Sequence, residues 1–380
     1  MRRLFLHIGA HKTGTTALQQ GLHQNRAILA QRGASYVAAP SVAHLHKYLG
    51  YRQAGQLLPE GFAVQDLPAL AAQLAAAPGD LVIGSSENFS FFFQAEAVQA
   101  LAGALKPHFG QISIVSYLRR QDRHAVSHHQ EGAKPHRQAE GELWGHAAQA
   151  LPVPSPEQAL YLDYDRRMGL WADAFGEDAM ILRIYDRAWL KDGDILADFL
   201  EQLGIDGADM MPVGDRNVSL GAAQANAGHV MNEMGVKPRV MEQVLGQIAD
   251  GGRLLPSRAG AQAFLEPYRE SNRRLNARFR VSDLPELFPD DFDDLPEVAQ
   301  DAWSEAGATA ALRAALGQAL KIAPALAALT PDDLRNAALA LQARLPESAL
   351  RLVTAAQALR PTGPTILKLK ADLERKLSEG

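Results

Sequence analysis

Short apolar runs alternate with stretches of helical periodicity along the N-terminal half of the chain. The runs are brief and aliphatic, as is typical of buried strands, and they lie at Leu4–Ile8, Leu81–Gly84, Ile112–Leu118 and Met180–Tyr185. Between them, apolar residues recur at helical spacing, which predicts helices over 17–32, 67–77, 94–105, 160–172 and 193–204. Strands that alternate with helices in this way predict an α/β fold with a central parallel sheet flanked by helices.

The rest of the chain is predicted to be helical. Helical spacing continues between about 221 and 282, and an acidic segment that contains prolines follows over 283–294. The last part, 295–380, is rich in alanine and leucine and is divided by prolines. We therefore predict a domain over 1–282, an acidic linker over 283–294 and an α-helical extension over 295–380. The extension is expected to pack on the domain or to contact a partner, such as a second copy in a homodimer.

The first apolar run leads into a loop that is suited to binding an anion. Gly9 and Gly14 lie five positions apart, and the next helical pattern begins near Thr15. Backbone N–H groups at a helix start converge on one point, where the helix dipole adds about half a positive charge. The spacing is that of the phosphate-binding loop G-x-x-x-x-G-K-[ST]. Here, however, Thr15 and Thr16 stand at its last two positions, and the lysine is Lys12, inside the loop.

The strand ends that follow carry no aspartate of the kind that holds magnesium in a nucleoside triphosphatase. The second predicted strand runs into Ser85-Ser86-Glu87, and the third runs into Arg119-Arg120. The loop therefore predicts a metal-free site in which N–H groups, threonine hydroxyls and Lys12 hold a phosphate. Such a site suits transfer of a sulfuryl group. That group carries one negative charge on its terminal oxygens, so a lysine can replace the divalent ion.

Glu87 is a candidate general base. The carboxyl ends of parallel strands form the ligand-binding edge of an open sheet, so we expect Glu87 in the same crevice as Lys12. Two structural alternatives stay open for its carboxylate. It could cap a helix N-terminus, or it could form an ion pair with Arg119.

A second motif follows the third predicted strand. Arg119 stands at the strand end, and Ser127 lies eight residues later on the next predicted helix. A guanidinium group offers forked donors to phosphate oxygens, so these two side chains could converge on a doubly charged phosphate. The alternative is a basic patch on the surface.

Together the two motifs resemble those of sulfotransferases that use 3′-phosphoadenosine 5′-phosphosulfate (PAPS), in their bacterial branch. His11-Lys12-Thr13-Gly14-Thr15-Thr16 resembles the family's 5′-phosphosulfate loop, P-K-[ST]-G-T-[ST], with His11 in place of the commoner proline. Arg119 and Ser127 resemble the family's 3′-phosphate motif. The resemblance covers roughly residues 3–282 and implies a P-loop-type fold for a sulfotransferase domain.

The resemblance also implies roles for two residues further along. Tyr185 would lie near the adenine, with a core tyrosine as the structural alternative. Arg216 lies in Asp215–Leu220, which resembles a recurring segment of the family, and it would contact the 3′-phosphate.

The activity implied is transfer of a sulfuryl group from PAPS to an acceptor hydroxyl or amine. Lys12 would stabilise the departing 5′-phosphate, and Glu87 would remove the acceptor proton. We favour a carbohydrate acceptor, because Glu87 resembles the base of carbohydrate sulfotransferases; lipids and small metabolites stay open. Two alternatives come from other classes: a magnesium-dependent P-loop kinase of a small molecule, and a non-catalytic nucleotide-binding protein whose helical extension recruits partners.

The composition of the chain excludes several kinds of site and classes of protein. The chain of 380 residues carries a net charge of −5 and contains no cysteine, which excludes disulfides, thiolate metal sites and cysteine nucleophiles. Nothing in it resembles the clustered cations of a nucleic-acid-binding protein. The first apolar run is too short for a signal peptide, and no run reaches the roughly 18 residues of a membrane span. We expect a cytoplasmic protein whose partners are PAPS, its product 3′-phosphoadenosine 5′-phosphate (PAP) and an acceptor.

Overall fold

A computed structural model gives the architecture of most of the chain. It describes residues 2–38, 62–135, 149–151, 153–154, 156–213, 220–249, 252–327 and 329–378. Within these residues, no helix is long and apolar enough to cross a membrane.

A parallel sheet of five strands forms the centre of the fold. Its strands are β1 (Arg3–His7), β2 (Ala34–Ala38), β3 (Leu81–Ser85), β4 (Gln111–Leu118) and β5 (Met180–Ile184). Their order across the sheet is β2-β3-β1-β4-β5, with every neighbouring pair parallel. The predicted α/β fold with a central parallel sheet is therefore confirmed. Strand β1 lies in the middle, so the loop after it leaves the sheet between the ends of β3 and β4.

The edge strand β2 was missing from the predicted elements. Its sequence, ASYVA, contains a single β-branched residue and follows a helix that ends just before Gly33, so it lacks the apolar run that marks the other strands. Pairing with β3, with Tyr36 opposite Ile83, makes it a strand.

The helices connect the strands and continue beyond the sheet. Those up to β5 are α1 (Thr15–Gln24), α2 (Arg26–Gln31), α3 (Phe62–Ala76), α4 (Ala95–Leu105), α5 (Gln121–Gly132), α6 (Pro156–Leu162) and α7 (Tyr164–Phe175). Those after β5 are α8 (Ile195–Leu203), α9 (Ala222–Glu233), α10 (Pro238–Leu245), α11 (Arg258–Leu265), α12 (Arg269–Phe279), α13 (Glu305–Ala327), α14 (Pro331–Leu341), α15 (Pro346–Leu359) and α16 (Pro364–Ser378).

Apolar side chains cover both faces of the sheet. On β1, Leu4 and Leu6 belong to one buried cluster and Phe5 to another, because successive side chains of a strand point to opposite faces. Trp171 of α7 packs in the first cluster and Phe199 of α8 in the second. Burial on both faces is the usual environment of a parallel sheet, and it holds β1 and its loop between two helical layers.

The chain divides into two compact units, Met1–Ala308 and Thr309–Gly380. This division differs from the predicted linker at 283–294, because that segment is packed within the first unit. Leu287 and Phe288 are buried in its largest core cluster, and Arg120 donates to the carbonyl of Pro289 at 3.2 Å. Several of its carboxylates form ion pairs with arginines of the first unit: Asp294 with Arg123, and Glu286 and Asp290 with Arg269.

The second unit is helical, as expected for the extension. Side chains of α14, α15 and α16 form its core, which includes Ala338, Val353 and Leu373. Pro346 separates two of these helices, as the predicted division by prolines implies, and it begins α15 at the first position, where a missing N–H costs no helical hydrogen bond. A contact of these helices with a partner or second copy stays a prediction.

The C-terminal end of α5 is packed closely against α9. A Cβ atom at Gly228 of α9 would collide with the carbonyl oxygen of Ala133, just after α5. In contrast, Gly103 of α4 has open space where its Cβ would be. The close approach of α9 to this end of α5 therefore depends on a glycine.

We expect Gly228→Ala to lower the free energy of unfolding of the first unit by about 1–3 kcal/mol, because the added methyl group overpacks this contact. The matched control, Gly103→Ala, should raise it by about 0.5–1 kcal/mol, since alanine favours a helix over glycine. Residues 309–380 contain no tryptophan, so tryptophan fluorescence during urea unfolding reports on the first unit. Equal effects of the two substitutions would contradict the close contact.

Candidate functional site

The loop after β1 extends the sheet before it turns. The N–H of Ile8 donates to the carbonyl of Val115 at 2.9 Å, and that of Ala10 donates to the carbonyl of Tyr117 at 3.1 Å. The Tyr117 N–H in turn donates to the carbonyl of Gly9 at 2.8 Å. These bonds to β4 hold the start of the loop in place at the carboxyl end of the sheet.

The turn from this loop into α1 requires a glycine. Gly14 has a φ of 76° and is the N-cap of α1, and a Cβ there would lie 2.8 Å from Cε2 of Tyr185. Helix α1 starts at Thr15, and its first turn contains no acidic residue. The first N–H groups of a helix have no carbonyl partner within it, so the helix start and its dipole favour an anion here. The sequence predicted this glycine turn into a helix, and the binding of an anion by the loop stays a prediction.

The threonines of the loop lie in different surroundings. The Thr13 hydroxyl donates to the carbonyl of Ala10 at 2.6 Å and is fully buried, so it closes the loop on itself. Thr15 is buried as well, whereas Thr16 is exposed. The predicted role of all three in binding a phosphate stays a prediction, but the Thr13 hydroxyl already has an acceptor within the loop.

His11 contacts side chains that sequence reasoning did not connect with it. Its backbone N–H donates to the Tyr161 hydroxyl at 3.0 Å, and its Nδ1 lies 3.0 Å from Oγ of Ser90. The imidazole ring packs on Phe91, with ring centroids 4.4 Å apart. This residue therefore connects the loop to α6 and to the turn after β3, and the cofactor-binding role that the resemblance implies for it stays a prediction.

Lys12 forms an ion pair at the end of α5. Its Nζ donates to Oε2 of Glu131 at 2.7 Å, and Nζ of Lys134 lies 2.8 Å from the same oxygen. The Lys12 backbone has a φ of 60°, and its carbonyl accepts a hydrogen bond from Nη1 of Arg119 at 3.0 Å. Sequence reasoning did not find Glu131, because a pairing over so many positions leaves no local pattern.

Arg119 connects the loop with the residues after β5. Besides its bond to the Lys12 carbonyl, its guanidinium lies 5.7 Å from the centre of the Tyr185 ring. Burial lowers the pKa of this guanidinium from its ordinary value, but arginine stays protonated in proteins. A cation is thus held at the edge of the loop, where β4 ends.

One cavity of about 430 Å³ brings several of the predicted residues together. Its described lining includes Lys12, Gly14, Arg119, Ser127 and Tyr185. The sequence separates these residues by up to half the chain, and the sheet order places them around one space.

The lining of this cavity is cationic, although the chain as a whole carries a net charge of −5. Its described basic side chains are Lys12, Arg119, Arg123, Lys134, Arg187 and Arg253, and its described carboxylates are Asp122, Glu131 and Asp294. Asp122 is held by Arg120, whose Nε and Nη2 donate to its two oxygens at 2.8 and 3.0 Å. The excess of cations favours an anionic ligand.

Glu87 lies on the other side of β1, in the 3-10 turn Glu87–Phe91 after β3. A Cβ at Gly9 would lie 3.2 Å from its Cα, so its backbone is next to the loop. Its Oε2 accepts a hydrogen bond from Nε2 of Gln19 at 2.8 Å. Arg119, the other partner considered for this carboxylate, donates to the backbone carbonyl of Lys12 instead. The turn is capped by Ser86 and not by Glu87. Glu87 is therefore close to the loop, but it is not among the described residues that line the cationic cavity.

Arg216, which the resemblance assigned to the 3′-phosphate, lies outside the described residues. Its assignment stays a prediction.

Two buried histidines near the loop lie within hydrogen-bond distance of hydroxyl groups. Nδ1 of His7 lies 2.7 Å from Oγ of Ser85, and burial lowers the pKa of His7 to about 3. Nδ1 of His124 lies 2.7 Å from the Tyr164 hydroxyl, and burial lowers the pKa of His124 as well. Over the described ranges, His, Asp and Glu side chains form no group of three or more that could hold a metal ion.

Comparisons with known proteins give little direct guidance. No family model matches the chain. An uncharacterized protein from Archaeoglobus fulgidus is 29% identical over 178 residues, covering 43% of this chain and 44% of that protein. The match thus spans less than half the length of that relative. The chain is also similar to a crystal structure of a sulfotransferase from Alicyclobacillus acidocaldarius. The match covers 74% of this chain and 97% of the sulfotransferase chain, with 16% identity and a TM-score of 0.39. That similarity is too low to support a function, so the assignment depends on the site itself.

Proposed function

We propose that the protein transfers a sulfuryl group from PAPS to an acceptor hydroxyl or amine. The observation that carries the proposal is the shared cavity: the loop residues Lys12 and Gly14 line it together with Arg119 and Ser127. PAPS has two anionic ends on one nucleoside, and a cationic cavity with two anion-binding elements suits such a molecule.

The lining residues suggest how PAPS would be held. The N–H groups at the start of α1 would bind the 5′-phosphosulfate, since a helix start favours a phosphate group. Arg119 and Ser127 would bind the 3′-phosphate, for which forked guanidinium donors are well suited. Tyr185, packed against Gly14, would contact the adenine.

Two side chains would act on the reaction itself. Glu87 would take the proton of the acceptor hydroxyl while the acceptor oxygen forms a bond to sulfur. The bond between sulfur and the bridging oxygen of the 5′-phosphate would break, and Lys12 would stabilise the charge that develops there. A preorganised cation at a leaving group is typically one of the largest contributions to catalysis.

The position of Glu87 is compatible with a polar acceptor. Its carboxylate is bonded to Gln19, whose amide is also 3.4 Å from Oγ of Ser85. A side of the loop with amide, hydroxyl and carboxylate groups suits a hydroxyl-rich acceptor, and for this reason we propose a carbohydrate. If Glu87 is the base, Glu87→Gln should reduce turnover but leave PAP affinity unchanged; loss of PAP affinity would argue for a role in nucleotide binding instead.

A P-loop kinase is supported less well by the same residues. Neither strand beside β1 ends in an aspartate of the kind that holds magnesium, because β3 runs into Ser86-Glu87 and β4 runs into Arg119-Arg120. The nearby Asp122 already accepts hydrogen bonds from Nε and Nη2 of Arg120.

Calorimetric titration with PAP, AMP and Mg·ADP tests the proposal. PAP and AMP differ only in the 3′-phosphate, so a sulfotransferase should bind PAP in the micromolar range and AMP much more weakly. A preference for Mg·ADP, with no difference between PAP and AMP, would overturn the proposal in favour of the kinase. Turnover of labelled PAPS with a panel of sugars then separates an enzyme from a non-catalytic nucleotide-binding protein.

A further inference from the structure

We infer that Glu131 is an internal counter-anion that competes with the bound substrate for Lys12, while Lys134 keeps Glu131 paired when Lys12 leaves it. This inference concerns regulation of the proposed PAPS site and rests on that proposed function. Lys12 would have two positions: in the first it contacts Glu131, and in the second it contacts the anion on the loop.

The ion pairs around Glu131 carry the inference. A single carboxylate oxygen, Oε2, lies 2.7 Å from Nζ of Lys12 and 2.8 Å from Nζ of Lys134. The Glu131 side chain is only 6% exposed, whereas each lysine side chain is 25% exposed. Two ammonium groups thus share one nearly buried carboxylate on the wall of the cationic cavity.

The position of Glu131 in α5 is not explained by the stability of the helix. Glu131 lies in the last turn of α5, where the helix dipole disfavours a negative charge. This end of the helix is also held firmly, because Nδ2 of Asn232 donates to the carbonyl of Gly132 at 2.7 Å and Gly228 allows the close contact with Ala133. The carboxylate is therefore held in a fixed place from which it can reach Lys12.

Lys134 lowers the cost of releasing Lys12. Breaking a buried ion pair is expensive when one charge is left without a partner. Here the departure of Lys12 leaves Glu131 paired with Lys134, so the carboxylate keeps a cationic partner. The energy needed to move Lys12 is then that of a partly exposed ion pair, which an incoming dianionic phosphate can supply.

The inference predicts effects of opposite sign for two neighbouring substitutions. Glu131→Gln should tighten PAP binding about two- to fivefold, because Lys12 no longer has a competing anion. Lys134→Gln should weaken it by about the same factor, because Glu131 then holds Lys12 as its main cation. Both are measured by calorimetry at one fixed salt concentration. The matched control is Glu201→Gln, which removes an exposed pair with Lys191 away from the cavity and should leave PAP affinity unchanged.

The sign of the Glu131→Gln effect decides the question. Weaker PAP binding in that variant would mean that Glu131 positions Lys12 for the ligand, and an unchanged affinity would mean that the two do not compete; either result overturns the inference.

A ligand-free measurement keeps this test separate from that of the proposed function. Wild-type protein that does not bind PAP would overturn the proposed function. The ion pair is then read by NMR of ¹³C-methylated lysines, with the Lys12 signal assigned from Lys12→Arg. In Glu131→Gln the Lys12 signal should differ from that of the wild type, and inorganic phosphate should shift it at lower concentration. A Lys12 signal that is the same in both proteins would overturn the inference, whatever nucleotide the protein binds.

Discussion

Lys12→Ala should lower kcat for sulfuryl transfer by on the order of 10²–10³, with a much smaller change in PAP affinity. The reason is that Lys12 would act mainly on charge that develops on the 5′-phosphate as the bond to sulfur breaks. Interactions that are stronger in the transition state than in the ground state raise kcat, and their loss lowers it. Single-turnover kinetics with labelled PAPS, together with calorimetry with PAP, measures the two effects separately.

The control for this substitution is Lys191→Ala, which removes an exposed lysine outside the cavity and should leave kcat unchanged. The Lys12 variant should remain folded, because Glu131 keeps its contact with Lys134. If PAP affinity fell and kcat stayed intact, Lys12 would be a ground-state ligand and not a leaving-group cation.

Arg119→Ala should weaken PAP binding at least about 30-fold, the lower end of what truncating a partner in a buried charge pair costs. Affinity for AMP should fall less, because AMP has no 3′-phosphate for the guanidinium to bind. The PAP-to-AMP affinity ratio is therefore the quantity to measure. Arg119→Lys keeps the charge but not the forked donors, so it should give an intermediate ratio.

Arg119 also supports the loop, and the ratio of PAP affinity to AMP affinity distinguishes this effect from binding of the 3′-phosphate. Its Nη1 donates to the Lys12 carbonyl at 3.0 Å, so its loss loosens the loop for every nucleotide. Equal weakening of PAP and AMP would mean that Arg119 only supports the loop, and the 3′-phosphate would have to be bound elsewhere.

Local patterns of apolar residues predicted much of the fold, because such patterns depend on which side chains are buried. Strands β1, β3 and β4 are mostly buried, and β5 is partly buried at the other edge of the sheet, so all four are rich in aliphatic residues. Strand β2 is an edge strand with a mixed sequence, and its pairing partner determines it. The segment 283–294 was interpreted as a linker because charged residues dominate its composition. Two apolar residues, Leu287 and Phe288, nevertheless hold it in the core.

Some features of the candidate site could likewise be predicted from local sequence, and others could not. The glycine spacing of the loop and the interval from Arg119 to Ser127 are local, so both could be read directly from neighbouring residues. The contacts of His11 with Tyr161 and of Lys12 with Glu131 join distant parts of the chain. No short pattern encodes such pairs.

The sequence by itself determined the parallel α/β fold, the turn at Gly14 and the residue types suited to an anion, because each depends on neighbouring residues. Only the tertiary structure decided which of these residues share a cavity. It placed Arg119, Ser127 and Tyr185 with Lys12, and it left Glu87 on the other side of β1. It also brought Glu131 to Lys12. The physical reason is that strand order and helix packing determine contacts between distant residues, and these depend on the burial of the whole core.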